Sequence, residues 1–315
     1  MLIKAGLSLL KTIVDLGISG RVTTDELLKG HVSLRIGGPA EVLIQPFSWE
    51  DLRKIVVFSR ENLISLFILG AGSKVLIPDA GLKGITVKLD MSILRRIEFG
   101  EGYAKLGSGV KISEFLNSMI ENSYAGYEFL AGIPASLGGA VMMNAGVRKS
   151  PGSLEYIQIG NFVEELTAMN SKGEIIHLPR KSLSFNYRES NLGEYIILEV
   201  KLSGLVRKDR DEIRDCLRNF MDYRKKTQEL EFPNAGCVFK NPKGLSQTSG
   251  ELIELSGLKG RKIGDILISP KHANFMLNIG EGCAQDFIQL MELAQNKVKL
   301  DHNVWLEPEI RIIKN

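Results

Sequence analysis

Over roughly the first ninety residues, strand-like runs of apolar side chains alternate with helical spacing, the pattern of a small α/β unit. Residues 40–47 read as a strand, Ser48 caps a helix through about residue 61 with Asp51 completing a box-like start, and residues 66–69 read as a second strand. From about 91 to 205 strands dominate: 162–169 and 174–178 flank the turn Asn170-Ser-Lys-Gly173, 195–202 gives another apolar run, and 111–122 interrupts them as one amphipathic helix. The charged segment 207–228 predicts a long helix opening a third unit. Strands at 263–268 and 275–279, a helix from about 284 to 300 and a final strand at 308–313 follow. The pattern divides the chain into 1–90, 91–205 and 206–315.

Two apolar stretches could be mistaken for membrane or export signals. Residues 7–18 carry Lys11 and Asp15 at positions that suit an amphipathic helix better than a signal sequence, so no export is expected. The longest uncharged run, 129–147, has the length of a membrane span but contains Gly132, Pro134, Gly138, Gly139 and Gly146. That composition is poor for a continuous helix, and the run reads as a buried glycine-rich loop.

With 315 residues the chain exceeds one ordinary core and can fold without staples. Its three cysteines, Cys216, Cys237 and Cys283, are widely spaced, which fits a reducing cytoplasm and argues against a zinc site. No metal is expected. Forty basic against 37 acidic residues give a net charge of +3, far from the positive face that duplex nucleic acid requires. Clusters such as Arg224-Lys225-Lys226 suit a small polyanion instead.

Leu69-Gly-Ala-Gly-Ser-Lys74 follows a strand as a dinucleotide-binding loop would, but it lacks the third glycine, and Pro78 soon after Val75-Leu-Ile77 leaves no room for a helix. What remains is a tight turn whose backbone N–H groups can converge on an anion such as a diphosphate; taken alone, an ordinary strand connection is equally good. A second cluster, Ala131-Gly-Ile-Pro-Ala-Ser-Leu-Gly-Gly-Ala140 with Asn144-Ala-Gly146, supplies further bare backbone about sixty residues on. Together the two loops look like two walls of one site for a flat, bulky cofactor.

Three further segments carry candidate chemistry. Glu231-Phe-Pro-Asn-Ala-Gly-Cys-Val-Phe-Lys-Asn-Pro242 sets the thiol of Cys237 in a Gly- and Pro-bounded turn, a place for chemistry rather than packing. Phe185-Asn-Tyr-Arg-Glu-Ser190 presents Arg188 in a polar break; its planar fork can bind a carboxylate or a developing oxyanion, although a surface arginine paired with Glu189 is the commoner outcome. Leu306-Glu-Pro-Glu-Ile-Arg311 offers Glu307 and Glu309, which period-two geometry turns to one face; in isolation both read as solvated strand-end acids. His272 in Lys271-His-Ala-Asn-Phe-Met276 reads as a satisfied structural histidine, and His31, His177 and His302 carry no motif.

In this order the segments resemble the UDP-N-acetylenolpyruvoylglucosamine reductase family, over about residues 31–313. Cys237 stands where serine is usual, Lys74 stands where asparagine is usual, and the chain lacks a tyrosine-rich insertion near Tyr195, so it resembles the shorter subtype. The resemblance implies an α+β protein: a vanillyl-alcohol-oxidase-type FAD-binding fold of two subdomains plus a C-terminal α/β substrate domain. It implies FAD contacts at Arg35, at Gly70, Ala71, Gly72, Ser73 and Lys74, at Gly132, Ile133, Pro134, Ser136, Gly138 and Gly139, and at Asn144, Ala145 and Gly146. Catalytic roles fall on Arg188, Cys237 and Glu309, and substrate contacts on Tyr187, Lys225, Asn241, Lys271 and Asn274. The implied reaction is reduction of UDP-N-acetylglucosamine enolpyruvate to UDP-N-acetylmuramate with NADPH, in peptidoglycan precursor synthesis. The alternatives are an FAD oxidase of another alcohol or sugar on the same fold, and a flavin-binding protein without catalysis. The expected setting is a cytoplasmic monomer that binds neither nucleic acid nor membrane.

Overall fold

Strands and helices form where the burial of alternate or helically spaced side chains is largest, and in the computed structural model this organises residues 9, 12, 13, 15–89, 92–148 and 155–314, the ones described here. Residues 7, 8, 10, 11 and 14 of the expected helix at 7–18, and 90 and 91 at the expected boundary, lie outside them. Internal contacts group the chain into two units, one holding residues up to 24, 42–71 and 84–222, the other 25–41, 72–83 and 223 onward.

In the first unit, Trp49–Glu61 begins where Ser48 Oγ accepts from Asp51 N at 3.0 Å, the N-cap read from the sequence. The capping box does not close as expected, because the Asp51 carboxylate reaches past Ser48 to Phe47 N (3.2 Å) and to Ser19 Oγ (2.8 Å). The helix lays Leu52, Ile55 and Val56 on Val42, Ile44, Ile85 and Val87, which belong to sheet segments in the order 42–45, 84–88, 66–69. Leu66–Leu69 runs parallel to its neighbour, with Leu66 opposite Ile85.

A five-stranded antiparallel sheet follows, in the order Ile175–Pro179, Val163–Met169, Ile196–Ser203, Tyr103–Gly107, Ile97–Gly100. One face packs on the amphipathic helix Ile112–Glu121 through Phe115, Leu116 and Met119. Buried Tyr127 crosses this core, touching Phe115 and Phe162 edge-on or tilted, and donates its hydroxyl to Ser203 O at 2.5 Å. The glycine-rich run departs from the expected loop: Leu137–Met142 is a short helix capped by Ser136, whose Oγ accepts from Gly139 N. Glycine is tolerated there because Gly138 lies against Ser108, where a Cβ would come within 2.8 Å of the serine Cβ.

The second unit holds an antiparallel sheet in the order Asn234–Cys237, Phe275–Asn278, Ile266–Ile268, Lys262–Ile263. Residues 263–268, read as one strand, are two, because Gly264 at φ 52° and Asp265 form the two-residue turn of a hairpin pairing Ile263 with Ile266. Ala284–His302 covers the sheet with Phe287, Leu290, Met291, Ala294 and Val298. The final strand is shorter than 308–313: Arg311–Ile312 pairs in parallel with Val75–Leu76. Among the described residues, no helix is long and apolar enough to cross a membrane.

The buried Asp51 carboxyl makes a pH-dependent contribution. Burial alone would raise its pKa, but hydrogen bonds from Ser19, Ser48 and Phe47 outweigh burial and hold it below the ordinary carboxylate value. A depressed folded-state pKa adds stability that is fully present above the unfolded value and is lost as pH falls through the folded one. Asp51→Asn is therefore expected to cost about 1–3 kcal/mol at neutral pH. Thermal unfolding against pH should show the gap to the parent narrowing below about pH 4.

Candidate active site

The first unit assembles its candidate residues around the glycine-rich run. A Cβ on Gly70 would stand 2.8 Å from Ser136 Oγ, so the two loops read as cofactor walls abut. Gly132, Pro134 and Gly139 are exposed and Ile133 packs on the core beneath, leaving main chain largely bare of side chains on this surface. A flat, phosphate-bearing group such as FAD needs that kind of surface, and the residues fit it.

Arg188 lies in a two-residue turn, at φ 59°, between Phe185–Asn186 and Glu189–Ser190. A hairpin this short is not stable alone. Three side chains hold it: Asn144, only 1% exposed, donates Nδ2 to Asn186 O (2.8 Å) while its Oδ1 accepts from Gly160 N (2.9 Å); Ser190 Oγ donates to Met142 O (2.7 Å); and Tyr187 packs edge-on against Tyr156. The Arg188 guanidinium donates Nη1 to Gly146 O (2.8 Å) and lies 5.3 Å from the centre of the Tyr187 ring. It thus turns toward the glycine-rich run.

The second unit joins the other two motif segments. Parallel pairing of Arg311 with Val75 puts Glu309 beside Lys74, and Glu309 N donates to Val238 O at 2.7 Å. Asn234–Cys237 bulges against Phe275–Asn278: Asn234 opposes Leu277 and Cys237 opposes Phe275, with Gly236 at φ 69° taking up the extra residue. Asn234 Oδ1 caps this bulge by accepting from Gly236 N (2.9 Å). Cys237 is partly exposed and in no disulfide.

Lys74 Nζ donates to Cys237 O (2.6 Å) and Ala235 O (3.3 Å) and pairs with Glu309 Oε1 (2.7 Å). The Glu309 side chain is 6% exposed. Glu307 pairs instead with Lys240 at the surface. Period two therefore fails between the acids: both Glu309 N and Ile310 N turn onto Val238 O, and the chain there is not a regular strand.

The expected substrate residues divide by environment. Buried Asn274 holds Phe239, accepting from its N–H (2.9 Å) and donating to its carbonyl (2.8 Å), so it fixes the backbone just beyond Cys237. Asn241 Oδ1 accepts from Ser249 N (3.1 Å), and exposed Lys271 donates Nζ to Lys225 O. His272 bonds Asn274 N through Nδ1 and packs on Phe275, and burial lowers its pKa. Exposed Arg35 has φ 53° and donates its N–H to Val32 O. Among the described residues, no group of His, Cys, Asp or Glu is placed to hold a metal. Asn186, Ser190 and Asn234, which shape the two turns, were not singled out in the sequence; the partners of Asn186 and Ser190 come from distant positions, whereas Asn234 bonds locally, to Gly236 N, Phe232 O and Glu229 O.

Residues 40–179 match the FAD binding domain family, and residues 228–313 match the C-terminal domain of UDP-N-acetylenolpyruvoylglucosamine reductase. The reductase of Clostridium tetani is 36% identical over 303 residues, 96% of this chain and 94% of that protein. That of Syntrophus aciditrophicus is 36% identical over 299 residues, covering 94% and 93%. The crystal structure of the Thermus caldophilus reductase aligns with a TM-score of 0.77 at 30% identity, over 94% of this chain and 100% of that one.

Asn144→Ala removes two hydrogen bonds from a buried residue at φ 43°. The expected loss is about 2–4 kcal/mol, from the unpaired partners and the strained backbone. Chemical denaturation of the variant beside Asn144→Asp, which retains the acceptor for Gly160, should place the second variant between Ala and the parent.

Proposed function

The chain belongs to the UDP-N-acetylenolpyruvoylglucosamine reductase family, and we propose that it reduces UDP-N-acetylglucosamine enolpyruvate to UDP-N-acetylmuramate with NADPH. The observation that carries this reading is the backbone join of two segments far apart in the sequence, Glu309 N to Val238 O at 2.7 Å, which sets the candidate acid Cys237 and the candidate glutamate side by side. An interior with no chemical task has little reason to pair a buried carboxylate with an ammonium there, since taking both charges out of water costs several kcal/mol.

The chemistry that bound FAD would supply is hydride transfer, drawn from NADPH and directed to the enolpyruvyl carbon farther from the carboxylate. Arg35, Gly70 to Lys74, Gly132, Ile133, Pro134, Ser136, Gly138, Gly139, Asn144, Ala145 and Gly146 are assigned to its binding. Cys237 gives its proton to the carbon that bears the carboxylate, completing addition of two hydrogens across the double bond. Arg188 and Glu309 are assigned to the intervening enolate or enol, Arg188 as a cation that keeps its charge at any working pH. Tyr187, Lys225, Asn241, Lys271 and Asn274 are the expected substrate side, with Asn274 contributing through the backbone it fixes.

Denatured protein should release free FAD, and a preparation that takes up no flavin on titration would remove the reading. Arg188→Lys keeps the charge but loses the planar fork, so substrate-driven reoxidation should slow roughly 10²-fold or more. Cys237→Ala should leave flavin reduction by NADPH intact and cripple reoxidation by the enolpyruvyl substrate, a split that anaerobic stopped-flow absorbance resolves. An ordinary thiol loses its proton near ~8.5 and a serine hydroxyl does not, so Cys237→Ser should retain turnover and extend it to higher pH. Reoxidation by oxygen but not by the enolpyruvyl substrate would instead mark an oxidase.

A further inference from the structure

We propose that Lys74 is a positioning residue for proton delivery, its ammonium fixing the Cys237 turn and the Glu309 carboxylate in one arrangement. The inference rests on the reductase reading and deepens it. An ammonium has three donors, and three oxygens converge on this one: Cys237 O at 2.6 Å, Ala235 O at 3.3 Å and Glu309 Oε1 at 2.7 Å. The two carbonyls flank Gly236, whose φ of 69° lets the bulge turn both toward the same cation. A Cβ on Gly236 would itself lie 3.8 Å from Lys74 Nζ.

The side chain of Lys74 is 20% exposed and that of Glu309 6%, so little water is on hand to replace the ammonium. Without it, two carbonyl dipoles and a carboxylate face one another, and the bulge is free to rotate away from the geometry that aims the thiol. On the far side, Asn274 fixes Phe239 and Val238 and Cys237 opposes Phe275 across the bulge, so the ammonium constrains the remaining, carbonyl side of the turn. Lys74 touches no reacting atom; it acts through Cys237 and Glu309.

The test is a double-mutant cycle on the two half-reactions by anaerobic stopped flow, using flavin-loaded parent, Lys74→Met, Cys237→Ala and the double variant. Lys74→Met should slow substrate-driven reoxidation roughly 10²-fold, the scale expected from a misplacement near 1 Å, and slow it more than flavin reduction by NADPH. In the Cys237→Ala background the same substitution should cost clearly less, only the share that runs through Glu309. A second readout needs no turnover: the pH profile of Cys237 alkylation by iodoacetamide, followed by peptide mass spectrometry, should shift in Lys74→Met. If the methionine variant does not fold, Lys74→Gln, one atom shorter but with two N–H donors, enters the same cycle.

Equal losses with and without Cys237, or an unshifted alkylation profile, would overturn the proposal and leave Lys74 as a structural ion-pair residue. Equal loss in both half-reactions with flavin dissociation would also overturn it, leaving Lys74 with its cofactor contact alone. A parent that holds FAD but is never reoxidised by the enolpyruvyl substrate would sink the reductase reading and this inference with it. That outcome is read from the parent alone, so the two failures are distinguishable.

Discussion

The second unit depends on one long-range join, the parallel pairing of Val75–Leu76 with Arg311–Ile312. Its hydrogen bonds from Arg311 N to Lys74 O at 2.9 Å and from Ile313 N to Leu76 O at 3.0 Å contribute about 0.5–1.5 kcal/mol each, too little to hold distant segments together. Burial decides the matter: Leu34, Ile36, Leu76, Leu306 and Ile310 enter one core, at roughly 1.5–3 kcal/mol for each large side chain. Hydrophobic contact supplies the affinity, and the ladder sets the register. Register matters more for the chemistry, since a slip of one residue would carry Glu309 away from Lys74.

Magnitudes separate the two ion pairs on this short segment. Lys240 with Glu307 sits at the surface, where such pairs are worth about 0–1 kcal/mol. Lys74 with Glu309 is mostly out of water, where the cost of desolvation offsets much of the Coulomb gain, so the pair is weak as a source of stability. Its value is geometric: it reaches the main chain on both sides of Gly236 and ties the acid, the thiol-bearing turn and the end of the glycine loop to one nitrogen.

Much of the fold was legible in the sequence because it is local. Ser48 as a cap, the strand Leu66–Leu69, the helices Ile112–Glu121 and Ala284–His302 and the loop without a helix after Lys74 all follow from spacing, capping and turn chemistry over a few residues. Where reading failed, a short-range rule met a stronger constraint. A glycine-rich run held a helix because Ser136 capped it and Ser108 packed against Gly138, and two acids two residues apart parted because Val238 O accepted two successive N–H groups. The segments carrying the site were marked by residue type alone, Cys237 in a Gly-Pro turn and Glu309 after Pro308. The partner of each was invisible, because Lys74 lies more than 150 positions before either and no local pattern encodes that contact.

The same contrast explains how a long, flexible arginine can serve in the first unit. A guanidinium on a two-residue turn loses much of its fork's advantage if the turn drifts, since bidentate recognition depends on pre-set geometry. Here the turn is clamped at both strands, by Asn144 on Asn186 and by Ser190 on Met142, and Asn144 and Met142 themselves sit at the end of the short capped helix. Arg188 then binds Gly146 O, two residues beyond Asn144. The glycine-rich run is thus the ruler for the arginine as well as a bare surface: its backbone oxygens and one buried amide set where the charge stands. Glycine's lack of side chains makes this possible, because only exposed main chain can both lie flat against a cofactor and receive hydrogen bonds from the groups aimed at it.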